Sequence, residues 1–130
     1  MKFNRESLPK PTETELELLR VLWEKGPATV RELHDAVNLQ RAVGYTSVLK
    51  ILQIMTEKGL VEREAANKAH IYRPAASQEE TQNQLLRDLS ERLCSGSAAQ
   101  LAMHALAMQP ASAEELDEIR NLIEQKRQTR

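Results

Sequence analysis

The sequence predicts a mainly α-helical chain with one small β-hairpin: a helix-turn-helix unit carrying the hairpin, then three further helices. Three observations predict it. Capping boxes, in which a Ser or Thr stands three residues before a Glu, open helical apolar patterns at Thr12/Glu15, Thr29/Glu32, Ser77/Glu80 and Ser112/Glu115. Two of the predicted helices, the second and the third, are separated only by the brief connector 38–44. Strand-like patterning with a polar turn between its halves occurs once, over residues 60–73.

Residues 1–11 carry two prolines and few apolar groups and predict a flexible N-terminal arm. The first helix starts after Thr12, turns Leu16, Leu19, Leu22 and Trp23 inward, and ends at Gly26-Pro27, with Trp23 expected as a core plug. A short helix follows from Thr29 through Val37, with Val30, Leu33 and Val37 inward and His34 and Asp35 outward. The third helix fills 44–59, where Val48, Leu52 and Met55 recur at helical spacing with Ile51 beside them. Lys58 and Gly59 close it, a cation near the helix dipole's negative end and a residue free to adopt the left-handed cap.

The outward side of that third helix gathers Tyr45, Thr46, Ser47, Lys50 and Gln53, all able to hydrogen-bond. No acidic residue occurs between Asp35 and Glu57, while Arg41 and Lys50 supply positive charge. A carboxylate there would be repelled by phosphate, and short polar side chains in the first turns of a helix are what reads base edges in a major groove. The stretch is therefore predicted to be a recognition helix. After it, Leu60–Arg63, a polar turn over Glu64–Ala69, and His70-Ile71-Tyr72-Arg73 form a hairpin pattern, which makes residues 12–74 a winged helix-turn-helix domain expected to bind double-stranded DNA. Arg63, Lys68, His70 and Arg73 are the expected backbone contacts from the wing.

Beyond Pro74 the pattern changes. Leu85, Leu86, Leu89 and Leu93 mark a long amphipathic helix; Ala98–Met108 is small and apolar; Pro110 breaks it; and Leu116, Ile119 and Ile123 line a last helix ending in Lys126, Arg127 and Arg130. Three helices with apolar stripes and no aromatic residue would leave apolar surface exposed if they stood alone, and an identical chain is the simplest cover. Residues 75–130 are thus expected to be a helical dimerisation domain, its contacts centred on Leu86, Leu89, Leu93, Leu101, Ala105, Leu116, Ile119 and Ile123.

Composition narrows the function class. The chain has 130 residues, enough for one domain or two small ones, and Phe3, Trp23, Tyr45 and Tyr72 are its only aromatics, so its core must be aliphatic. Its net charge of −1 divides into +2 for residues 1–74, from 12 Lys/Arg and 10 Asp/Glu, and −3 for residues 75–130, from 6 and 9. A single cysteine, Cys94, excludes an intramolecular disulfide framework and a cysteine-based metal cluster, and it is expected to act as a small, at least half-buried apolar residue. No apolar run approaches the ~18 residues a membrane span requires, and MKFNRESLPKP has no signal-peptide core, so no membrane association and a cytoplasmic location are expected. His34, His70 and His104 fall on three different elements, with no phosphate loop, nucleophile elbow or metal-ligand spacing. No enzyme activity, cofactor or metal is expected.

The stretches GPATVRELHDAV, GYTSVLKILQIMTEKGLVER, AHIYRPAAS, SGSAAQLAMHAL and SAEELDEIRNLIEQKR, in this order, resemble the penicillinase-repressor (BlaI/MecI) family over almost the whole chain, with YTSVLKILQIMTEKGLV the most specific part. The resemblance implies a dimer whose N-terminal winged helices sit on an inverted-repeat operator and block transcription, often of beta-lactamase or other antibiotic-resistance genes. It also places Thr46, Ser47, Leu49 and Lys50 at positions similar to the family's base-reading and phosphate-contacting residues. Prototype members are released by proteolysis, triggered by a membrane sensor, at an Asn-Phe bond in the helix after the long one. The matching place here is His104-Ala105, which leaves open whether a regulatory protease or another inducer acts. Copper-responsive relatives carry several C-terminal cysteines, which this chain lacks. A winged helix used only to bind protein, without a specific operator, is the alternative from another class; the acid-free stretch favours DNA.

Overall fold

The computed structural model describes residues 9–129. Residues 1–8, most of the expected arm, lie outside the described residues; of the remainder, Pro11 is buried. The element order is α1 (Glu13–Lys25), β1 (Ala28–Thr29), α2 (Val30–Asn38), α3 (Tyr45–Lys58), β2 (Val61–Ala66), β3 (Ala69–Pro74), α4 (Gln78–Leu93), α5 (Ala98–Met108) and α6 (Ala113–Gln128). The chain divides into two compact units between Leu85 and Leu86, within α4.

All four capping boxes form. The hydroxyls of Thr12, Thr29, Ser77 and Ser112 accept the backbone N–H three residues on, at 3.2, 3.2, 3.0 and 3.0 Å, and each Glu returns a bond to the cap N–H. Caps of this kind stabilise a helix by about 1 kcal/mol each. α3 instead starts at Gly44 with no side-chain cap, so the first N–H groups of the expected recognition helix have no side-chain acceptor at the cap. It ends at Gly59, whose φ of 86° is the left-handed conformation that glycine adopts without Cβ strain.

The core of the first unit is one aliphatic cluster with Tyr72 at 0% exposure: Leu18, Leu19 and Leu22 from α1, Val30, Leu33 and Val37 from α2, and Val48, Leu52 and Met55 from α3, closed by Ala28, Leu60 and Val61. Each fully buried Leu contributes about 1.5–3 kcal/mol. The α1 stripe runs Glu15, Leu18, Leu19, Leu22, so Leu18 takes the place expected for Leu16, which is only half-buried. Trp23 packs against this cluster as expected, and its indole N–H donates to the Ala76 carbonyl at 3.0 Å. That bond and the buried Thr81 join the first turns of α4 to the first unit.

The hairpin is one part of a three-stranded antiparallel sheet in the order β1-β3-β2. Thr29 serves twice, capping α2 and pairing with Ile71, while Ala28 pairs with Tyr72. Two residues are too few to show alternation, which is why this strand is invisible in the sequence pattern. The wing is also longer than the pattern indicates: pairing continues to Ala66↔Ala69, leaving Asn67-Lys68 as the turn, with Asn67 at φ 54°. Asparagine tolerates that left-handed geometry better than most residues.

In the second unit, α5 and α6 have no buried residue, and Ser90 of α4 is buried with its hydroxyl donating to the Arg87 carbonyl at 3.0 Å. Ser95 and Gly96, at φ 52° and 85°, turn the chain out of α4, and the Ser97 hydroxyl caps α5 through Gln100 N–H at 3.1 Å.

Candidate nucleic-acid interface

α3 is amphipathic in the expected sense. Val48, Leu52 and Met55 face the core, which turns Tyr45, Thr46, Ser47, Lys50 and Gln53 to the surface, all of them exposed, with Leu49 half-buried between the two faces. Lys50 forms no ion pair among the described residues, so its charge is available to a ligand.

The entry to α3 is held from α2. His34 Nε2 lies 2.7 Å from the Val43 carbonyl oxygen; a carbonyl only accepts, so that nitrogen carries the hydrogen. The Val43 N–H donates to Asn38 Oδ1 at 2.9 Å, so two α2 side chains fix one residue of the connector. The His34 ring also meets Tyr45 edge-on at 5.8 Å between centroids. His34 is therefore half-buried and structural, not outward as its place in the sequence indicated; Asp35 is exposed as expected.

The remaining expected contacts divide into two groups. Arg63, Lys68 and His70 are exposed on the wing with no ion pair among the described residues. Arg41 and Arg73 are exposed but already engaged: Arg41 donates to Glu17 Oε1 at 2.8 Å, and Arg73 pairs with Glu64 across the β2–β3 ladder. The hydrogen bond to Glu17, and then the charge of that carboxylate, raise the Arg41 pKa above its ordinary value. These two arginines must exchange an internal partner for any external anion. Arg31 was not among the sequence-predicted residues. It is exposed on α2, and its guanidinium carbon lies 5.7 Å from the centre of the Tyr45 ring. No periodicity marks it, because the contact joins residues 31 and 45 across the helix-turn-helix.

In the second unit the expected dimer residues are exposed or half-buried. Leu86 is 54% exposed, Leu93 69% and Ile123 50%; Leu89, Ala105 and Leu116 are also exposed, and Leu101 and Ile119 half-buried. Met103, Leu106, Met108 and Leu122 are exposed as well and extend the apolar surface beyond those eight residues. Cys94 is half-buried with a free thiol. No described helix is long and apolar enough to cross a membrane.

Comparison with known proteins bears on the family and on the fold of the first unit. The penicillinase repressor family matches residues 11–125. The transcriptional regulator BlaI of Mycobacterium tuberculosis is 32% identical over 104 residues, covering 78% of this chain and 74% of its own. The methicillin resistance regulatory protein MecI of Staphylococcus aureus is 18% identical over 112 residues, covering 86% and 91%. Among solved structures, the solution structure of the DNA binding domain of the repressor BlaI superposes with a TM-score of 0.51 at 16% identity, covering 57% of this chain and 90% of that domain. The fold of α1 through β3 is thus a winged helix. With the family match spanning all but the ends of the chain, the protein belongs to the penicillinase repressor family, whose members are transcriptional repressors of the BlaI/MecI type and not enzymes.

Proposed function

We propose that the protein is a dimeric, sequence-specific repressor that acts in the cytoplasm on inverted-repeat operators, with residues 12–74 as the DNA-binding domain and residues 75–130 as the dimerisation domain. The observation that carries this reading is the exposed N-terminal part of α3, where Thr46, Ser47, Lys50 and Gln53 stand together, with no acidic residue before Glu57 in its last turn, on a helix braced at its entry. In a major groove, Thr46, Ser47 and Gln53 read base edges and Lys50 takes a phosphate. Arg63, Lys68 and His70 place the wing on the backbone, and Arg41 and Arg73 join them by exchanging Glu17 and Glu64 for phosphate. The exposed leucines and methionines of the second unit support pairing of two copies. That the family is one of penicillinase repressors, and that the MecI relative is a methicillin resistance regulatory protein, supports beta-lactamase or other antibiotic-resistance genes as targets.

Selection of bound fragments from the source genome, followed by sequencing, tests the reading. Enrichment of a few sites that share an inverted repeat is the expected result, and the genes beside them identify the regulated pathway. Uniform recovery would sink the specific-repressor reading and favour a protein-binding winged helix or a non-specific binder. At a recovered site, Thr46→Ala is expected to relax base preference by about 1–3 kcal/mol, whereas Lys50→Ala weakens all sequences alike.

A further inference from the structure

Between the start of α2, the start of α3 and the wing turn lies an open groove lined by Thr29, Arg31, Tyr45, Leu49, Lys68 and His70, with no acidic residue on its walls. The side chains of Arg31 and Lys68 have no ion pair or hydrogen bond among the described residues, although 19 Asp and Glu are distributed along the chain. The neighbouring Glu32 is held by its capping box, its Oε1 accepting from Thr29 N–H at 2.8 Å and from the Thr29 hydroxyl at 3.2 Å. Arg31 has an aromatic face instead of a carboxylate. Tyr45 is fixed by the His34 edge contact, and the Arg31 guanidinium stands over its ring. A cation stacked on a ring loses rotamer freedom without losing net charge, and its N–H donors remain free for an anion.

We infer that one strand of duplex DNA crosses this groove between α3 and the wing, and that Arg31, held on Tyr45, is a phosphate ligand facing Lys68 and His70. The inference rests on the DNA-binding reading above and adds to it a contact from α2. The guanidinium and the Lys68 ammonium clamp the backbone from opposite walls, which sets how deeply α3 enters the groove. Because the contact is to phosphate, it carries no base preference of its own.

The test is a fluorescence-anisotropy titration of the full-length protein against a labelled random-sequence duplex across roughly 50–200 mM salt, a range over which phosphate contacts are read from the slope of log affinity on log salt. Arg31→Gln is expected to reduce that slope by about 0.9 per bound subunit, so the affinity lost across the range shrinks about 3.5-fold per subunit. Arg31→Lys is expected to restore the slope, and circular dichroism melts establish that both variants are folded. An Arg31→Gln protein that loses affinity with an unchanged slope would make Arg31 only a support for Tyr45 and overturn the inference, as would one that binds like the unaltered protein. Absence of salt-sensitive binding by the unaltered protein would overturn the DNA-binding reading itself, and the two failures are thereby told apart.

Discussion

Glu15 is the only buried carboxylate among the described residues, and its burial tests what holds α1 to α3. Burial alone raises a carboxyl pKa. Here it is outweighed by the Lys58 ammonium, donating at 2.7 Å, the Thr12 backbone N–H at 2.9 Å, the Lys58 charge and the Thr12 hydroxyl, so the folded pKa lies below the ordinary 4.5. A carboxyl with a lowered folded pKa stabilises the native state above its unfolded pKa, and that contribution is lost as pH falls through the folded value. Glu15→Gln retains the capping oxygen but not the charge. In urea titrations it is expected to be less stable than the unaltered protein at pH 7, with the gap closing below about pH 4.5 as the native carboxyl protonates. Parallel pH curves would show that the Lys58 pair contributes nothing. Lys58→Met, which leaves the carboxylate without its cation, is expected to cost about 1–3 kcal/mol at neutral pH. The sequence shows Glu15 as the far end of a capping box. It could not show the partner at Lys58, 43 residues away, because no local pattern encodes such a contact.

At the scale of elements, α3, the proposed recognition helix, depends on the clamp behind it. His34 and Asn38 together satisfy both backbone groups of Val43, one residue before the uncapped Gly44. Replacing His34 by Ala removes a half-buried hydrogen bond of about 1 kcal/mol and the edge contact on Tyr45, and is expected to lower DNA affinity up to about fivefold. The salt slope should not change if Arg31 keeps its place on Tyr45; a reduced slope would show that the Arg31 contact depends on His34 through the Tyr45 ring. The helices and their caps were legible because each is written in residues three or four apart. The same locality explains what was missed. β1 is too short to alternate, and Leu18 belongs to a stripe whose phase depends on which side of α1 the other helices cover. Of the expected site residues, those on α3 were readable from amphipathicity, while the internal pairing of Arg41 and Arg73 and the place of Arg31 depend on tertiary contacts.

For the whole molecule, net charge says little about where nucleic acid would bind. The +2 and −3 found on either side of Pro74 depend on the position of that cut: residues 1–85, up to the physical division of the chain, contain 12 Lys/Arg and 12 Asp/Glu, and residues 86–130 contain 6 and 7. The first unit is neutral as a whole, and Glu17 and Glu64 occupy Arg41 and Arg73 while Arg31, Lys50, Arg63 and Lys68 have no ion pair among the described residues, so its affinity for one half-site is expected to be modest. On the repressor function proposed above, strong operator binding comes from joining two such units, which raises avidity by about 10²–10⁴ without new contacts. The second unit offers the surface for this, since α5 and α6 bury no residue and leave Leu116, Leu122 and Ile123 exposed. Replacing Leu89 and Leu116, 38% and 44% exposed, by glutamate places charge in that surface with little effect on either unit's own packing. Sedimentation is expected to show the unaltered chain as a dimer and this double variant as a monomer. Affinity for an inverted repeat should fall at least about 100-fold, while affinity for a single half-site stays the same, because only the linkage between the two reading heads is lost. A double variant that remains dimeric would move the interface away from these helices; one that is monomeric yet binds the repeat undiminished would show that each unit reads DNA alone.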